Sequence, residues 1–263
     1  MNVEAIRKQL KSLKLSTAAQ EIEEVLRRHK QAASLEWVSD LFEREIDARQ
    51  ARALQRRIVR AEFPEVTTLE AFDWKFNTKI DQAKIETLAK LDFVRDNGIG
   101  LFLGGAGLGK THLALAIGVL AAKENYRVFC ASTKRLIELI RVAKLKNTLD
   151  MLFKRMLSSK LWIIDDWGVV SMSRDIAEEV FDLFDRRRYS SAMLLTSNRA
   201  VEEWGEVFAD PVLANATIDR IFDRAEIVVF QGKSYRLKGR ITLPSINSAE
   251  IAPTPQQKKG TAS

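Results

Sequence analysis

A glycine-rich segment is the part of the chain whose residue types and spacing point most directly to chemistry. The residues from Gly104 to Thr111 read Gly-Gly-Ala-Gly-Leu-Gly-Lys-Thr and fit the pattern G-x-x-x-x-G-K-[ST]. Glycine allows successive backbone N–H groups to turn into one concavity, and the N-terminus of a following helix adds its positive dipole end. Lys110 would then reach the β- and γ-phosphates of a nucleotide, and the Thr111 hydroxyl would bind Mg²⁺. The predicted nucleotide contacts are Gly104, Gly105, Ala106, Gly107, Leu108, Gly109, Lys110, Thr111 and His112.

Two adjacent carboxylates end an apolar run further along the chain. The run Leu161-Trp-Ile-Ile is followed by Asp165 and Asp166, which is typical of a Walker B strand. Asp165 would share the Mg²⁺ ion with Thr111, and Asp166 would orient or deprotonate the attacking water. Adjacent carboxylates also occur in plain polar turns, but the phosphate loop upstream favours the catalytic interpretation.

Two more polar residues complete the predicted catalytic set. Asn198 ends the apolar run Leu194-Leu-Thr-Ser, where a neutral amide can polarise water or contact a γ-phosphate; taken alone it would be an ordinary loop residue. Arg220 is predicted on a short helix with Arg224 one turn later, and it would act as an arginine finger across a subunit boundary. The alternative for Arg220 is a surface salt bridge with Asp219 or Asp223.

These residues need elements that bring them to one place. Five short runs rich in β-forming residues predict strands at Ile99–Leu103, Arg127–Ala131, Leu161–Ile164, Ala192–Thr196 and Glu226–Phe230. Helical patterns lie between them at Thr111–Lys123, Lys134–Lys146, Arg174–Arg188 and Thr217–Asp223. This alternation predicts an α/β fold, a parallel sheet flanked by helices on both faces.

The sequence predicts three parts of unequal length: an N-terminal helical domain, a larger α/β domain and a C-terminal tail. Residues 1–63 contain no convincing strand and predict a small all-helical N-terminal domain, with a capping box at Thr17 and a second helix start at Ser34. The α/β domain is assigned to residues 64–245. The segment 246–263 is predicted to be a disordered tail, because its last dozen residues lack apolar periodicity.

Composition narrows the class of protein. The 263 residues carry 42 Lys and Arg against 35 Asp and Glu, a net charge of +7 that favours nucleic acid or anionic surfaces as partners. The single cysteine, Cys130, excludes an intramolecular disulfide and a Cys-cluster zinc site. The longest apolar run, Leu113 to Ala122, is about half of what a membrane span needs. We therefore expect a cytoplasmic protein with no membrane association.

Basic residues concentrate in two places. Residues 127–160 hold nine basic and two acidic side chains, a local charge of +7. In the N-terminal part, arginines recur at one-turn spacing and could follow successive DNA phosphates. In both places the alternative is a solvated basic face. The candidate DNA-binding residues are Arg49, Arg52, Arg56, Lys134, Arg135, Arg141, Lys144, Lys146, Lys154 and Arg155.

The motifs together resemble the DnaC/IstB group of AAA+ ATPases, from about residue 64 to 243. They are Gly-Leu-Gly-Lys-Thr-His-Leu-Ala around Lys110, Ile-Ile-Asp-Asp-Trp-Gly around Asp165, Thr-Ser-Asn-Arg around Asn198, Asp-Arg-Ile at Arg220 and Gly-Lys-Ser-Tyr-Arg at Arg236. The Asp-Asp pair, in place of Asp-Glu, is closer to IstB, the transposition helper ATPase of bacterial insertion sequences. The resemblance implies a P-loop AAA+ core that binds ATP and Mg²⁺. It also implies a homo-oligomer with shared ATP sites on double-stranded DNA, and a cognate transposase as partner.

Two further positions follow from the resemblance alone. The segment Phe72-Asp-Trp74 is a candidate for contacts to adenine, and Lys233 or Arg236 would substitute for the sensor of a lid domain. Two other functions remain open beside the transposition helper. One is a DnaC-type helicase loader, and the other is a nucleotide-gated DNA-binding scaffold with negligible hydrolysis.

Overall fold

A five-stranded parallel sheet forms the centre of the molecule. The structure, a computed structural model, describes residues 3–28 and 36–238. The strands are β1 Ile99–Gly104, β2 Val128–Ser132, β3 Leu161–Asp165, β4 Ala192–Ser197 and β5 Ala225–Phe230, in the spatial order β2-β3-β4-β1-β5. All neighbouring strands pair in parallel. Every strand matches its predicted range to within one residue, and the predicted α/β class is confirmed.

Helices cover both faces of the sheet. Within the described residues they are α1 Val3–Ser12, α2 Ser16–Arg28, α3 Glu36–Ala61, α4 Gln82–Ala89, α5 Asp92–Arg95, α6 Lys110–Lys123, α7 Thr133–Leu145, α8 Leu149–Leu157, α9 Arg174–Arg187 and α10 Pro211–Phe222, with 3-10 helices at Val201–Val207 and Tyr235–Leu237. The helix expected from Thr217 begins earlier, at Pro211, because the Asp210 side chain accepts hydrogen bonds from the amides of Val212 and Leu213. None of the described helices is both long and apolar enough to cross a bilayer.

Side chains of the central strands enter two separate cores. Along β3, Trp162 and Ile164 face the cluster under α7 to α10, while Leu161 and Ile163 face the cluster under α4 and α6. All six residues of β4 are buried. Such two-sided burial produces continuous apolar runs rather than alternation, which is why the strands were visible in the sequence.

The N-terminal helices form a small core of their own. Buried side chains of α1, α2 and the first half of α3 contact each other there, among them Ile22, Val25 and Leu41. The helix α2 begins at Ser16, so Thr17 lies inside its first turn. The carboxylate of Glu45 in α3 accepts the Ala18 amide at 2.9 Å, so the N-terminus of α2 is capped from another helix. Ser34 and the segment 246–263 lie outside the described residues.

The second half of α3 packs on the other unit of the chain. Leu54, Ile58 and Ala61 belong to the cluster that also contains α6 and one face of the sheet. The Arg57 side chain donates to the carbonyl of Ala122 at 2.8 Å, at the end of α6. One continuous helix therefore contacts both the N-terminal core and the helix that follows the phosphate loop. The division of the chain at residues 63 and 64 stays a prediction.

Candidate nucleotide site

The phosphate loop connects β1 to α6, at the carboxyl edge of the sheet. Three of its glycines adopt positive φ angles, 146° at Gly104, 76° at Gly107 and 96° at Gly109. A Cβ on Gly104 would lie 2.2 Å from the Phe230 carbonyl oxygen, and one on Gly109 would lie 2.4 Å from the ring of Phe72. The positive φ angles and the lack of room for a Cβ both require glycine at Gly104 and Gly109, which explains why the motif has glycine at these positions.

Lys110 is the first residue of α6 and is buried. Its ammonium donates to the carbonyls of Gly104 and Gly105, both at 2.7 Å. Burial lowers the pKa of Lys110, and the nearby Asp166 and Asp165 oppose that shift. The cation is thus held at the base of the loop, next to the concavity that its glycines line.

Asp165 and Thr111 lie side by side as predicted. The Thr111 hydroxyl donates to Asp165 Oδ1 at 2.9 Å, and the Thr196 hydroxyl donates to the same oxygen. The Thr133 hydroxyl donates to the Asp165 carbonyl at 3.2 Å. Because Thr111 Oγ1 keeps its lone pairs free when it donates, this pair is a set of hard oxygen donors that fits Mg²⁺.

Asp166 has an unusual backbone and an altered acidity. Its φ of 55° is in the left-handed region, and its amide donates to Thr196 Oγ1 at 3.1 Å. Burial and the neighbouring Asp165 raise the pKa of Asp166, against the cations Lys110 and Arg236. The turn directs Asp166 into the same cavity as Asn198. Thr196, which bridges the Asp165 carboxylate and the Asp166 amide, was not predicted, because its role depends on pairing between β3 and β4.

The cavity has a volume of about 400 Å³, within the range of small-molecule sites. Its lining includes residues 106–112 of the phosphate loop and the first turn of α6, the polar side chains of Asp166 and Asn198, and the aromatic side chains of Phe72, Phe76 and Tyr235. Trp74 does not line it but packs against Phe72 at 4.7 Å between ring centroids. His112 contributes to the wall while its imidazole hydrogen-bonds the Thr67 hydroxyl at 2.8 Å.

A segment after β5, residues 231–238, lies over the phosphate loop, and we refer to it as the strap. Asn77 bonds both backbone groups of Lys233, at 3.0 and 3.1 Å, and the Tyr235 amide donates to the Gly107 carbonyl at 2.8 Å. Arg236 of the strap lines the cavity, and among the described residues no carboxylate pairs with it. Of the two residues that the resemblance suggested, the strap brings Arg236 to the pocket wall.

Arg220 lies outside the cavity. Its guanidinium donates to Asp185 of α9 at 2.8 Å and to Asp219 at 3.0 Å. Asp223 instead pairs with Arg188 at 3.5 Å. In the single chain, Arg220 therefore has the surface salt bridge given above as its alternative, with Asp185 as a partner that the sequence did not indicate.

The candidate DNA-binding residues between β2 and β3 lie on α7 and α8 or just after α7. Lys144 pairs with Glu179 at 2.8 Å and Arg141 with Glu138 at 3.3 Å. Within the described residues, no acidic partner is found for Lys134, Arg135, Lys146 and Lys154, which are exposed.

The remaining basic candidates bind acidic groups of the chain, except Arg56, for which no acidic partner is found in the part of the chain that the structure describes. Arg155 contacts Glu62. Of the N-terminal arginines, Arg49 and Arg52 both bind the buried Glu45, at 2.7 and 3.5 Å. Arg56 is exposed on α3. Several candidate DNA contacts therefore also hold the fold together.

Comparison with solved structures identifies the fold. The replication initiator DnaA bound to AMPPCP and single-stranded DNA superposes with a TM-score of 0.56 at 21% identity, over 67% of this chain and 54% of that one. DnaI superposes with a TM-score of 0.53 at 20% identity, over 63% of this chain and 91% of that one. At these identities the likeness shows the fold alone, which is that of a P-loop AAA+ domain.

Comparison of sequences identifies the family. The insertion sequence IS21 putative ATP-binding protein of Pseudomonas aeruginosa is 35% identical, over 87% of each chain. The IS232 counterpart of Bacillus thuringiensis subsp. berliner is 33% identical, over 87% of this chain and 92% of its own. The profile of the family described as IstB-like ATP binding protein matches residues 7–242. The chain therefore belongs to the IstB-like family of insertion-sequence ATP-binding proteins.

Proposed function

We propose that this protein is a DNA-binding ATPase that oligomerises on duplex DNA and assists a transposase in target capture and transposition. The observation that carries the proposal is the convergence of Lys110, Thr111, Asp165, Asp166 and Asn198 around one cavity of nucleotide size. In a family named for ATP binding and for insertion sequences, such a site supports hydrolysis coupled to work on DNA.

Hydrolysis uses the residues of this cavity in separate roles. The loop amides and Lys110 hold the β- and γ-phosphates, and aromatic side chains of Phe72, Phe76 and Tyr235 contact the base. Mg²⁺, held by Thr111 and Asp165, would neutralise charge that develops on the phosphates. Asp166 accepts a hydrogen bond from the attacking water, and its raised pKa makes it a better proton acceptor.

Cations complete the site from two directions. Arg236 of the strap supplies positive charge from the same subunit. Arg220 lies outside its own cavity and pairs with Asp185. We assign it to the site of a neighbouring subunit, where it exchanges this ion pair for contacts to the γ-phosphate. A site completed in this way requires a homo-oligomer with shared ATP sites.

The DNA contacts are assigned to the basic helices α7 and α8. Lysines without acidic partners bind backbone phosphates and give affinity without reading the base sequence. The presence of single-stranded DNA in the DnaA complex keeps single strands among the substrates to be compared.

Sizing of the protein with duplex or single-stranded DNA, with and without ATP, tests the proposal. We expect a large complex that needs both duplex and ATP, and its loss in Lys110→Ala. Lys123→Ala, at the other end of α6, is the matched control and should assemble normally. Preference for single strands would favour a helicase loader. Assembly with ATP but without turnover would favour a nucleotide-gated scaffold, and assembly indifferent to ATP would contradict the proposal.

A further inference from the structure

A chain of hydrogen bonds runs from the nucleotide cavity into the core. The Ser197 hydroxyl donates to the Trp167 carbonyl at 2.8 Å and accepts the indole N–H of Trp204 at 3.1 Å. All three residues are buried. Trp167 directly follows Asp166 and Ser197 directly precedes Asn198. The Trp204 indole is therefore bonded to the residue that precedes Asn198, and this residue is bonded to the one that follows Asp166; Asp166 and Asn198 both line the cavity.

The other side of this cluster reaches Arg220. The ring of Trp204 packs against Phe222 at 5.9 Å between centroids, and Phe222 lies two residues after Arg220 in the last turn of α10. The ring of Trp167 packs against Phe184 at 5.3 Å, and Phe184 precedes Asp185, which binds Arg220. Each partner of the ion pair between Arg220 and Asp185 therefore lies within two residues of a phenylalanine that packs against one of the two tryptophans.

We infer that Trp204 is a positioning residue that couples the end of β4 in one ATP site to the placement of Arg220 in the site of the next subunit. Close-packed interiors shift between discrete arrangements and do not deform smoothly. When the γ-phosphate binds or leaves, Asp166 or Asn198 shifts. The hydrogen bond from Trp204 to Ser197 transmits this shift to the indole, and the contact between the indole ring and Phe222 transmits it to α10. The inference rests on the proposed role of Arg220 in a neighbouring site.

The variant Trp204→Phe removes the N–H donor and keeps an aromatic ring against Phe222. It also removes part of the buried ring volume, so its control must lose the same volume at another buried tryptophan. Trp162→Phe is the matched control, because Trp162 is equally buried and its indole donates at 2.8 Å to the Met156 carbonyl. The Trp162 ring contacts Phe184 at 6.4 Å, and none of the described ring contacts joins it to Phe222, so the pair of variants isolates the contact of Trp204 with α10. Ser197→Ala removes the same bond from the other side and serves as the second variant if Trp204→Phe unfolds.

Mixed assemblies on duplex DNA give the decisive readout. One subunit type carries Asp166→Asn, so it binds ATP without hydrolysing it and donates Arg220. The other carries Arg220→Ala, so it hydrolyses only with an arginine from a neighbour. Activity regained on mixing comes from donated arginines. We expect Trp204→Phe in the donor subunits to lower this activity about fivefold to tenfold, the effect of one buried hydrogen bond, and Ser197→Ala in the donors to do the same.

Each result has a defined meaning. The inference is overturned if mixtures whose donor subunits carry Trp204→Phe hydrolyse ATP within twofold of mixtures whose donor subunits carry Trp162→Phe. This holds even if Trp204→Phe in the hydrolysing subunits lowers their own activity. A donor-side loss at equal melting temperatures supports it, because general destabilisation would affect both tryptophan variants. Failure of the unmodified mixture to regain activity would instead refute the shared arginine, and the inference with it.

Discussion

The hydroxyl of Thr196 bridges the two Walker B residues, and its removal is the most informative single change at the site. Thr196 is fully buried; it donates to Asp165 Oδ1 and accepts the Asp166 amide at 3.1 Å. Thr196→Val keeps the shape of the side chain and removes both bonds. Thr217→Val is a matched control, since Thr217 is also fully buried but its hydroxyl donates only to the Leu213 carbonyl of its own helix, at 2.7 Å.

The magnitude follows from the two bonds at Thr196. A hydrogen bond to a charged carboxylate contributes about 1.5–3 kcal/mol and a neutral one about 0.5–1.5 kcal/mol. Thr196→Val should therefore lower the free energy of unfolding by about 2–4 kcal/mol, and Thr217→Val by only about 1 kcal/mol. Because Asp165 and Asp166 lose their fixed orientation, kcat should fall while the KM for ATP changes little.

Urea unfolding and steady-state ATP hydrolysis of the two variants provide the assay. Thr196→Ser keeps the hydroxyl and should recover most of the lost turnover. The half-saturating Mg²⁺ concentration for binding of a fluorescent ATP analogue should rise in Thr196→Val alone. If Thr196→Val and Thr217→Val unfold at the same urea concentration and turn over ATP equally fast, the positioning role of Thr196 is refuted.

Three other changes test charges described above. Burial raises the pKa of Asp166, so the ionised carboxylate destabilises the folded state as pH rises above the ordinary carboxyl range. Asp166→Asn should therefore have a higher melting temperature than wild type at pH 7, and the difference should shrink on acidification. A difference in melting temperature that does not change with pH would contradict this. Lys134→Ala should lower the slope of log affinity for duplex against log salt by about one, whereas Lys144→Ala, whose ammonium already pairs with a carboxylate, should change it much less. For Glu45, burial alone would raise the pKa, but hydrogen bonds outweigh it and hold the pKa low, so the stability that Glu45 adds is lost as pH falls. The protection of the α2 amides against hydrogen exchange, taken relative to the intrinsic exchange rate at each pH, should fall in acid in wild type and already be low at pH 7 in Glu45→Ala.

The parts of the fold that could be predicted are those whose cause is local in sequence. Strands buried on both faces must be apolar throughout, and the phosphate loop needs glycine at fixed positions, as the contact between Gly109 and Phe72 shows. Asp165 and Asn198 could also be assigned to one site from the sequence, because each ends a predicted strand and the carboxyl ends of parallel strands meet at one edge of the sheet.

The rest depends on contacts between distant segments. Glu45 caps a helix that begins 29 residues earlier in the chain, at Ser16, and no local pattern marks such a cap. Asp185 binds Arg220 only because α9 and α10 pack together. The strap has no periodic pattern of apolar residues, so only the motif that ends at Arg236 indicated that this segment contributes to the pocket. Residues in these roles are ordinary polar residues in the sequence, and their partners become known only from the packing.

The continuity of α3 has a consequence for recombination between relatives. A helix of 26 residues is about 39 Å long, and it has no break where the N-terminal core ends and the contacts to α6 begin. A chimera joined at residue 63 would bring a foreign Leu54, Ile58 and Ala61 into the core of the α/β domain together with the foreign N-terminal helices. Exchange of N-terminal units should therefore succeed only at junctions within α3, upstream of Leu54, with the helical phase preserved. A single residue inserted there would rotate everything on its N-terminal side by about 100° relative to the phosphate loop.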